Sequence, residues 1–223
     1  MAMEAAKYRI LGSDYIGVFC TTSDDIVLMG AGLTSNVKGK ISSLLEARAV
    51  DVSISGSDLI GVFSRANSNG IVVSNLILDD ELEALKKAEP GINVGVVNSD
   101  LNAIGSNILA NDKIAIINPD YDGSAEKEIA DVLGVEVIRS STGGFKTVGA
   151  NNILTNRGLA VSNRSTAKEK EDWDNITGFD SVLTTANGGG LYIGLAAVAN
   201  SNGVAVGDST TGYELARVVD ALE

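Results

Sequence analysis

The stretch Gly12-Ser13-Asp14-Tyr15-Ile16-Gly17-Val18-Phe19 is repeated 44 residues later as Gly56-Ser57-Asp58-Leu59-Ile60-Gly61-Val62-Phe63, with seven of eight positions identical. A step of Ile or Val followed by Gly returns in three further places at nearly the same interval. We call the glycine of each step a marker glycine, and the five are Gly17, Gly61, Gly105, Gly149 and Gly194. This regular spacing predicts five copies of one structural unit.

Each marker glycine is followed by a predicted β-hairpin, a helix and another strand. In the second copy the polar residues 66–70 form the predicted turn, since Asn and Gly tolerate positive φ angles. Asp79 is the expected helix N-cap in this copy and Ser124 in the third, where Gly134 should end the helix. The final strands are predicted at residues 50–54, 93–97, 135–138 and 181–185. Each copy is therefore a β-β-α-β repeat.

The fifth copy reaches its helix at the end of the sequence, and no final strand follows it. Residues 8–14 have the register of residues 52–58, which belong to such a strand and the loop after it. We therefore expect an N-terminal strand to complete the fifth unit. This arrangement favours a closed ring over a solenoid, which would need capped ends. The prediction is a single domain over residues 1–223, with marker glycines near the axis, short strands around it and helices outside.

The composition indicates a folded protein with an acidic surface. Of 223 residues, 17 are basic and 29 acidic, and the formal net charge of -12 disfavours nucleic acid and favours basic partners. No apolar run approaches the roughly 20 residues needed to cross a bilayer. Residues 1–7 do not resemble a secretion signal. We expect a cytoplasmic protein with neither a membrane nor free nucleic acid as its partner.

The residues of this chain give no sign of catalysis. Cys20 is the single cysteine, it follows an apolar segment, and an inert buried thiol is expected there. The chain has no histidine, so any metal ligands would be carboxylates alone, and no calcium-loop spacing is present. We expect no catalytic residue, no metal and no cofactor.

Three stretches carry a resemblance to a known family: residues 111–120 (NDKIAIINPD), residues 129–137 (IADVLGVEV) and residues 207–215 (GDSTTGYEL). Together with the five-fold spacing, they make the chain similar to the translation initiation factor 6 family. The resemblance implies a pentein-type five-bladed α/β propeller, a closed pseudo-fivefold ring of β-β-α-β repeats. The sequence ends soon after the fifth helix, which resembles the archaeal members.

The resemblance also implies a function and a partner. Members of the family bind the large (50S) ribosomal subunit near the sarcin-ricin loop, chiefly on ribosomal protein uL14, and thereby exclude the small (30S) subunit. The ribosome-binding residues that it implies follow marker glycines: Val62, Ser106 and Asn151. The expected state is a monomer. One departure is the stretch Thr185-Ala186-Asn187-Gly188-Gly189-Gly190, which lacks a basic residue that the family often has there.

Two alternatives differ from ribosome binding. Guanidine-modifying enzymes have the same type of ring, but they use a Cys-His pair, and the absence of histidine disfavours them. A ring that binds a protein outside the ribosome is the other alternative. The residues alone do not separate that alternative from ribosome binding.

Overall fold

Fifteen strands form five three-stranded sheets in the computed structural model, which describes residues 3–223. The strands are β1 (Glu4–Tyr8), β2 (Cys20–Thr22), β3 (Ile26–Gly30), β4 (Arg48–Val52), β5 (Ser64–Ala66), β6 (Gly70–Ser74), β7 (Asn93–Val97), β8 (Ile108–Ala110), β9 (Ile114–Ile117), β10 (Glu136–Arg139), β11 (Ile153–Leu154), β12 (Leu159–Ser162), β13 (Val182–Thr184), β14 (Ala197–Ala199) and β15 (Gly203–Gly207).

All five sheets have the same topology. The middle strand pairs antiparallel with the hairpin strand before it and parallel with the strand that follows the helix, as β6 does with β5 and β7. In the fifth sheet the order is β1-β15-β14, so β1 occupies the place that β7 has in the second. This strand covers Glu4–Tyr8 and lies ahead of most of the predicted residues 8–14. The repeated pattern confirms the predicted five-fold α/β fold.

The helices fall into two sets. Five outer helices follow the middle strands of their sheets: α1 (Ser35–Leu44), α3 (Asp79–Ala88), α5 (Gly123–Leu133), α7 (Ala167–Thr177) and α9 (Gly212–Leu222). Five short helical segments contain the marker glycines: the 3₁₀ turn Ile16–Val18, α2 (Ile60–Phe63), α4 (Ile104–Asn107), α6 (Val148–Asn151) and α8 (Ile193–Ala196). None of the helices in residues 3–223 is long and apolar enough to span a membrane.

Two of the predicted helix starts are wrong by one or two positions. Asp79 is the first residue of α3 rather than its N-cap, and the Glu81 carboxylate accepts a hydrogen bond from the Leu78 amide at the cap position. In α5 the N-cap is Asp122 and not Ser124, because the Asp122 carboxylate accepts from Ala125 N. Gly134 ends α5 with a φ of 64°, as predicted.

The hydrophobic core is divided among the five junctions between neighbouring units. Trp173 of α7 in the fourth unit packs with Ile116 of β9 in the third. The same arrangement joins the first unit to the fifth, where Ile41 of α1 shares a cluster with Val198 and Ala205. Each fully buried large side chain contributes about 1.5–3 kcal/mol. Since every unit needs its neighbour to complete a core, the five units stabilise one another around the ring.

The marker glycines line the axis and account for the close approach of the units. A β-carbon on Gly61 would overlap the carbonyl oxygen of Gly17, and one on Gly105 would overlap that of Gly61. The same relation links Gly17 back to the carbonyl oxygen of Gly194, which closes the ring. Only glycine fits at such positions.

The direction of the chain gives the ring two different ends. Each short helix lies at the start of a hairpin, and the hairpin turn lies at the far end of its first strand. We call the side with the short helices, the loops before them and the N-termini of the outer helices the marker end. The opposite side, the turn end, carries the five hairpin turns, which lie around one opening at Ser23, Asn67, Asn111, Thr155 and Asn200.

Candidate functional site

Exposed hydrophobic side chains are concentrated at the marker end. Seven large apolar or aromatic side chains among residues 3–223 are exposed, and by chain direction all seven lie at this end. They are Leu11, Tyr15, Leu59, Leu76, Leu78, Tyr192 and Tyr213. Because water disfavours such a concentration, exposed apolar patches mark interaction surfaces.

Three of these side chains have equivalent places in the ring. Tyr15, Leu59 and Tyr192 each directly precede a short helix, and 37–41% of each residue is exposed. The two remaining units have Ala103 and Thr147 at this position. Large apolar or aromatic side chains therefore precede the short helices in three of the five units at the marker end.

The three residues predicted for ribosome binding all lie on the short helices of the marker end. Val62 and Ser106 are each partly exposed and follow their marker glycines directly. Asn151 comes two residues after Gly149 and is fully buried. Its amide oxygen accepts a hydrogen bond from Thr147 Oγ1 at 3.0 Å, and its Nδ2 donates to the Leu191 carbonyl at 3.4 Å. Asn151 thus binds the backbone of Leu191, the residue directly before Tyr192.

A glutamate in the first turn of three outer helices fixes the loops of this surface. Glu81 accepts from the amides of Ser55 and Gly56 at 2.7 and 2.8 Å. Glu169 accepts from Gly143 N at 3.0 Å. In each loop at least one residue has a positive φ, so these hydrogen bonds stabilise a backbone conformation that is unfavourable for most residues.

The third glutamate, Glu214, holds the glycine-rich loop. Its carboxylate accepts from Gly188 N and Gly189 N at 3.1 and 2.7 Å, and from Thr185 Oγ1 at 2.7 Å. Burial opposes ionisation, but these donors and Thr211 outweigh it and lower the pKa of Glu214 to about 2. Because two amides of the triple glycine already bind this carboxylate, they are not free to bind a phosphate.

An aromatic cluster lies beside the same opening. The rings of Phe145 and Tyr192 are tilted at 52° with centroids 5.5 Å apart. The guanidinium carbon of Arg164 lies 4.8 Å from the centre of the Phe145 ring, within range of a cation–π interaction. This cluster gives the marker end an edge that combines an aromatic surface with positive charge.

The turn end has a different chemical character. Its opening is surrounded by polar side chains that hydrogen-bond across the axis: Asn156 Nδ2 donates to both Asp24 and Asp112, at 2.9 and 2.7 Å. Ser68 donates to Asp112, and Ser201 donates to Asp24. These polar groups are paired with one another, so the opening at this end is polar where the marker end is apolar.

The single thiol of the chain is buried and protonated. Burial raises the pKa of the Cys20 thiol to about 12, so the nucleophilic thiolate is absent at neutral pH. In the part of the chain that the structure describes, no three His, Cys, Asp or Glu side chains lie together as metal ligands would. The exposed apolar side chains of the marker end are the feature typical of a binding surface.

Sequence reasoning missed two features of this site. The glutamates at the helix starts have a readable signal in two cases, Thr166-x-x-Glu169 and Thr211-x-x-Glu214, which are capping boxes. The exposed residues before the marker steps had a weaker signal, since Tyr15 and Leu59 are apolar positions within polar loops. That they share one end follows only from the direction of the strands.

Comparison with known proteins assigns the chain to a family. The model of the eIF-6 family matches residues 5–221. Translation initiation factor 6 of Picrophilus torridus is 37% identical over 217 residues, which cover 97% of this chain and 98% of that protein. Proteins of the same name from Pyrococcus horikoshii and Saccharolobus islandicus are 37% and 35% identical, with 99% of each chain covered.

Proposed function

The chain belongs to the eIF-6 family and has a role in translation initiation, and on that premise we propose that it binds the large ribosomal subunit through its marker end. Binding there blocks the approach of the small subunit. The proposal rests chiefly on one observation: the exposed apolar and aromatic side chains lie at this end and not at the turn end. Buried aromatic residues at the centre of an interface supply most of its binding energy.

The charge of the protein supports a basic partner on the ribosome. With a net charge of -12, the ring is repelled by rRNA and attracted to positively charged ribosomal proteins. Ribosomal protein uL14 near the sarcin-ricin loop is the partner we propose. One monomer per large subunit is sufficient, because the effect is steric.

The predicted residues then take two roles. Val62 and Ser106 are accessible and make contact with the ribosome, together with Leu59. Asn151 is buried, and its hydrogen bonds to Thr147 and Leu191 position the contact surface around Tyr192. Substitution of Asn151 should therefore weaken binding indirectly, by loosening this loop.

Matched variants at the two ends test the proposal. Leu59→Arg and Tyr192→Arg remove an apolar contact and add a positive charge that a basic partner repels, so we expect binding to fall at least 10-fold. The control is Asp25→Arg at the turn end, where the carboxylate is exposed. It changes the net charge more than Leu59→Arg does, yet it should leave binding unchanged.

The measurement is sedimentation of the purified variants with separated archaeal ribosomal subunits, together with the fraction of joined ribosomes. Loss of binding in Asp25→Arg alone would place the interface at the turn end and contradict the proposal. If the unmodified protein stays at the top of the gradient and the subunits join normally, its partner lies outside the ribosome.

A further inference from the structure

A single arginine lies inside the central channel of the ring. Five residues occupy equivalent positions in the first hairpin strand of each unit: Thr21, Arg65, Leu109, Ile153 and Val198. All five line one cavity on the axis. The three aliphatic side chains belong to the hydrophobic clusters between units, so one guanidinium and one hydroxyl are the polar side-chain groups of this layer.

The guanidinium of Arg65 has few partners. Its Nη2 donates to the Gly105 carbonyl oxygen at 2.5 Å, while its Nε is buried and has no hydrogen-bond partner. Among the described residues no carboxylate forms an ion pair with it. The residue is only partly exposed, so its positive charge has limited access to water and no protein counter-charge.

A second donor in the same cavity also lacks a partner. Thr21 Oγ1 is buried and makes no hydrogen bond. The neighbouring Asn152 amide has partners of its own, since Nδ2 donates to the Val148 carbonyl and Oδ1 accepts from Ser162 N. Two donors from adjacent units, Thr21 Oγ1 and Arg65 Nε, thus lack partners and lie along the same narrow space on the axis.

No protein group in this space supplies the missing negative charge. Burial lowers the pKa of Arg65 to about 10, so the guanidinium is still charged at neutral pH. Burial also keeps the Cys20 thiol protonated. The carboxylates of Asp24 and Asp112 are held at the turn end by Asn156.

We propose that the channel binds a monatomic anion of the chloride type between the Arg65 guanidinium and the Thr21 hydroxyl. The free space is about 40 Å³, and a single water needs about 10–15 Å³. This size admits a halide with one or two waters and excludes nucleotides.

Bromide, which replaces chloride and scatters anomalously, gives the direct test. Crystals of the protein soaked in sodium bromide should show an anomalous peak in the channel within hydrogen-bonding distance of Arg65. Density for water alone would overturn the proposal, because carbonyl groups and water would then suffice to solvate the guanidinium.

Thermal unfolding in solution gives an independent test. At constant ionic strength, replacing gluconate by chloride should raise the Tm in a saturable way, since a ligand that binds only the folded state stabilises it. Arg65→Met should abolish this chloride dependence, and Arg65→Lys should retain part of it. Lys127→Met, which removes an exposed positive charge, is the control and should respond as the unmodified protein does. A chloride response that persists in Arg65→Met would contradict the assignment.

Discussion

At the scale of single residues, the glutamates of the outer helices join two tasks. Glu214 caps α9 through the amide and hydroxyl of Thr211, and it also holds the glycine-rich loop through Gly188 and Gly189. A loop with positive φ angles next to a binding surface would otherwise sample other conformations. One carboxylate therefore orders both the helix start and the surface beside it.

Glu214→Gln should lower the free energy of unfolding by about 2 kcal/mol at pH 7, because the charge-assisted hydrogen bonds are weakened. The folded-state pKa of about 2 lies below the ordinary value of 4.5. The stabilisation is thus complete above pH 4.5 and is lost as the pH falls towards 2. In urea unfolding, the difference in the free energy of unfolding between Glu214→Gln and the unmodified protein should be smaller at pH 3 than at pH 7.

The control for this comparison is Glu171→Gln, a change at an exposed position of α7. Its free energy of unfolding should stay within about 0.5 kcal/mol of the unmodified protein. A gap for Glu214→Gln that is equally large at pH 3 would mean that side-chain shape, and not ionisation, stabilises the loop.

A pair of glycine substitutions tests the packing at the axis. Gly105→Ala places a β-carbon against the carbonyl oxygens of Gly61 and Ser64, so we expect a loss of at least about 3 kcal/mol or failure to fold. Gly39→Ala in α1 meets nothing within 4 Å. It should stabilise the protein by about 0.5–1 kcal/mol through helix propensity. Equal unfolding midpoints for the two variants would show that the axis tolerates side chains.

At the scale of elements, the sequence predicts the hairpins and the outer helices and misses the short helices. The hairpin turns were predictable from their Asn and Gly residues. The outer helices were predictable because the spacing of their apolar residues can be followed over about 10 residues. The short helices were not, since α2 has four residues, too few to show a helical period. The two helix starts were missed for different reasons: the cap position of α3 is held by the apolar Leu78, whereas Asp122 and Ser124 are both polar residues that can cap α5.

The junction between α7 and the third unit tests whether an outer helix holds two units together. Trp173 is 1% exposed, packs with Ile116 and donates its indole N–H to Ser140 Oγ at 3.1 Å. Trp173→Ala should cost about 3–5 kcal/mol in urea unfolding. Trp173→Phe, which keeps most of the packing and loses the hydrogen bond, should cost about 1 kcal/mol.

Tyr213→Ala, at an exposed position, is the control for Trp173→Ala. This side chain on α9 is 77% exposed, so its loss should change stability by less than about 0.5 kcal/mol. A similar loss of stability in Trp173→Ala and Tyr213→Ala would contradict the division into a core at the junctions and a free surface at the marker end.

At the scale of the whole molecule, five-fold repetition explains both what was predictable and what was not. The spacing of the marker glycines predicted the ring, its axis and the residues near the axis. It could not distinguish Asn151, which is buried, from Val62 and Ser106, which are partly exposed, because that difference depends on side-chain contacts in each unit. Nor could the spacing show that Arg65 lies in the channel without an ion-pair partner among the described residues.

The ring also predicts that the chain termini can be moved from the fifth unit to the equivalent place in another unit. No loop of the described residues joins α9 to β1, and Met3 N donates to Glu223 Oε1 at 2.7 Å. The equivalent place in the second unit lies between α3 and β7, at the exposed Pro90-Gly91. A circular permutant that joins residue 223 to residue 1 by a short linker and starts at Gly91 would complete the second sheet with its own N-terminal strand.

We expect this permutant to fold cooperatively, to unfold within about 2 kcal/mol of the natural chain and to keep its binding to large subunits, because every junction between units is preserved. A permutant opened at Ser68-Asn69 is the control. It breaks the turn whose side chains bond to Asp112 and Leu133, and it should be markedly less stable. If the permutant that starts at Gly91 unfolds in two separate transitions, the five units are not equivalent around the ring, and closure by the N-terminal strand is specific to the fifth.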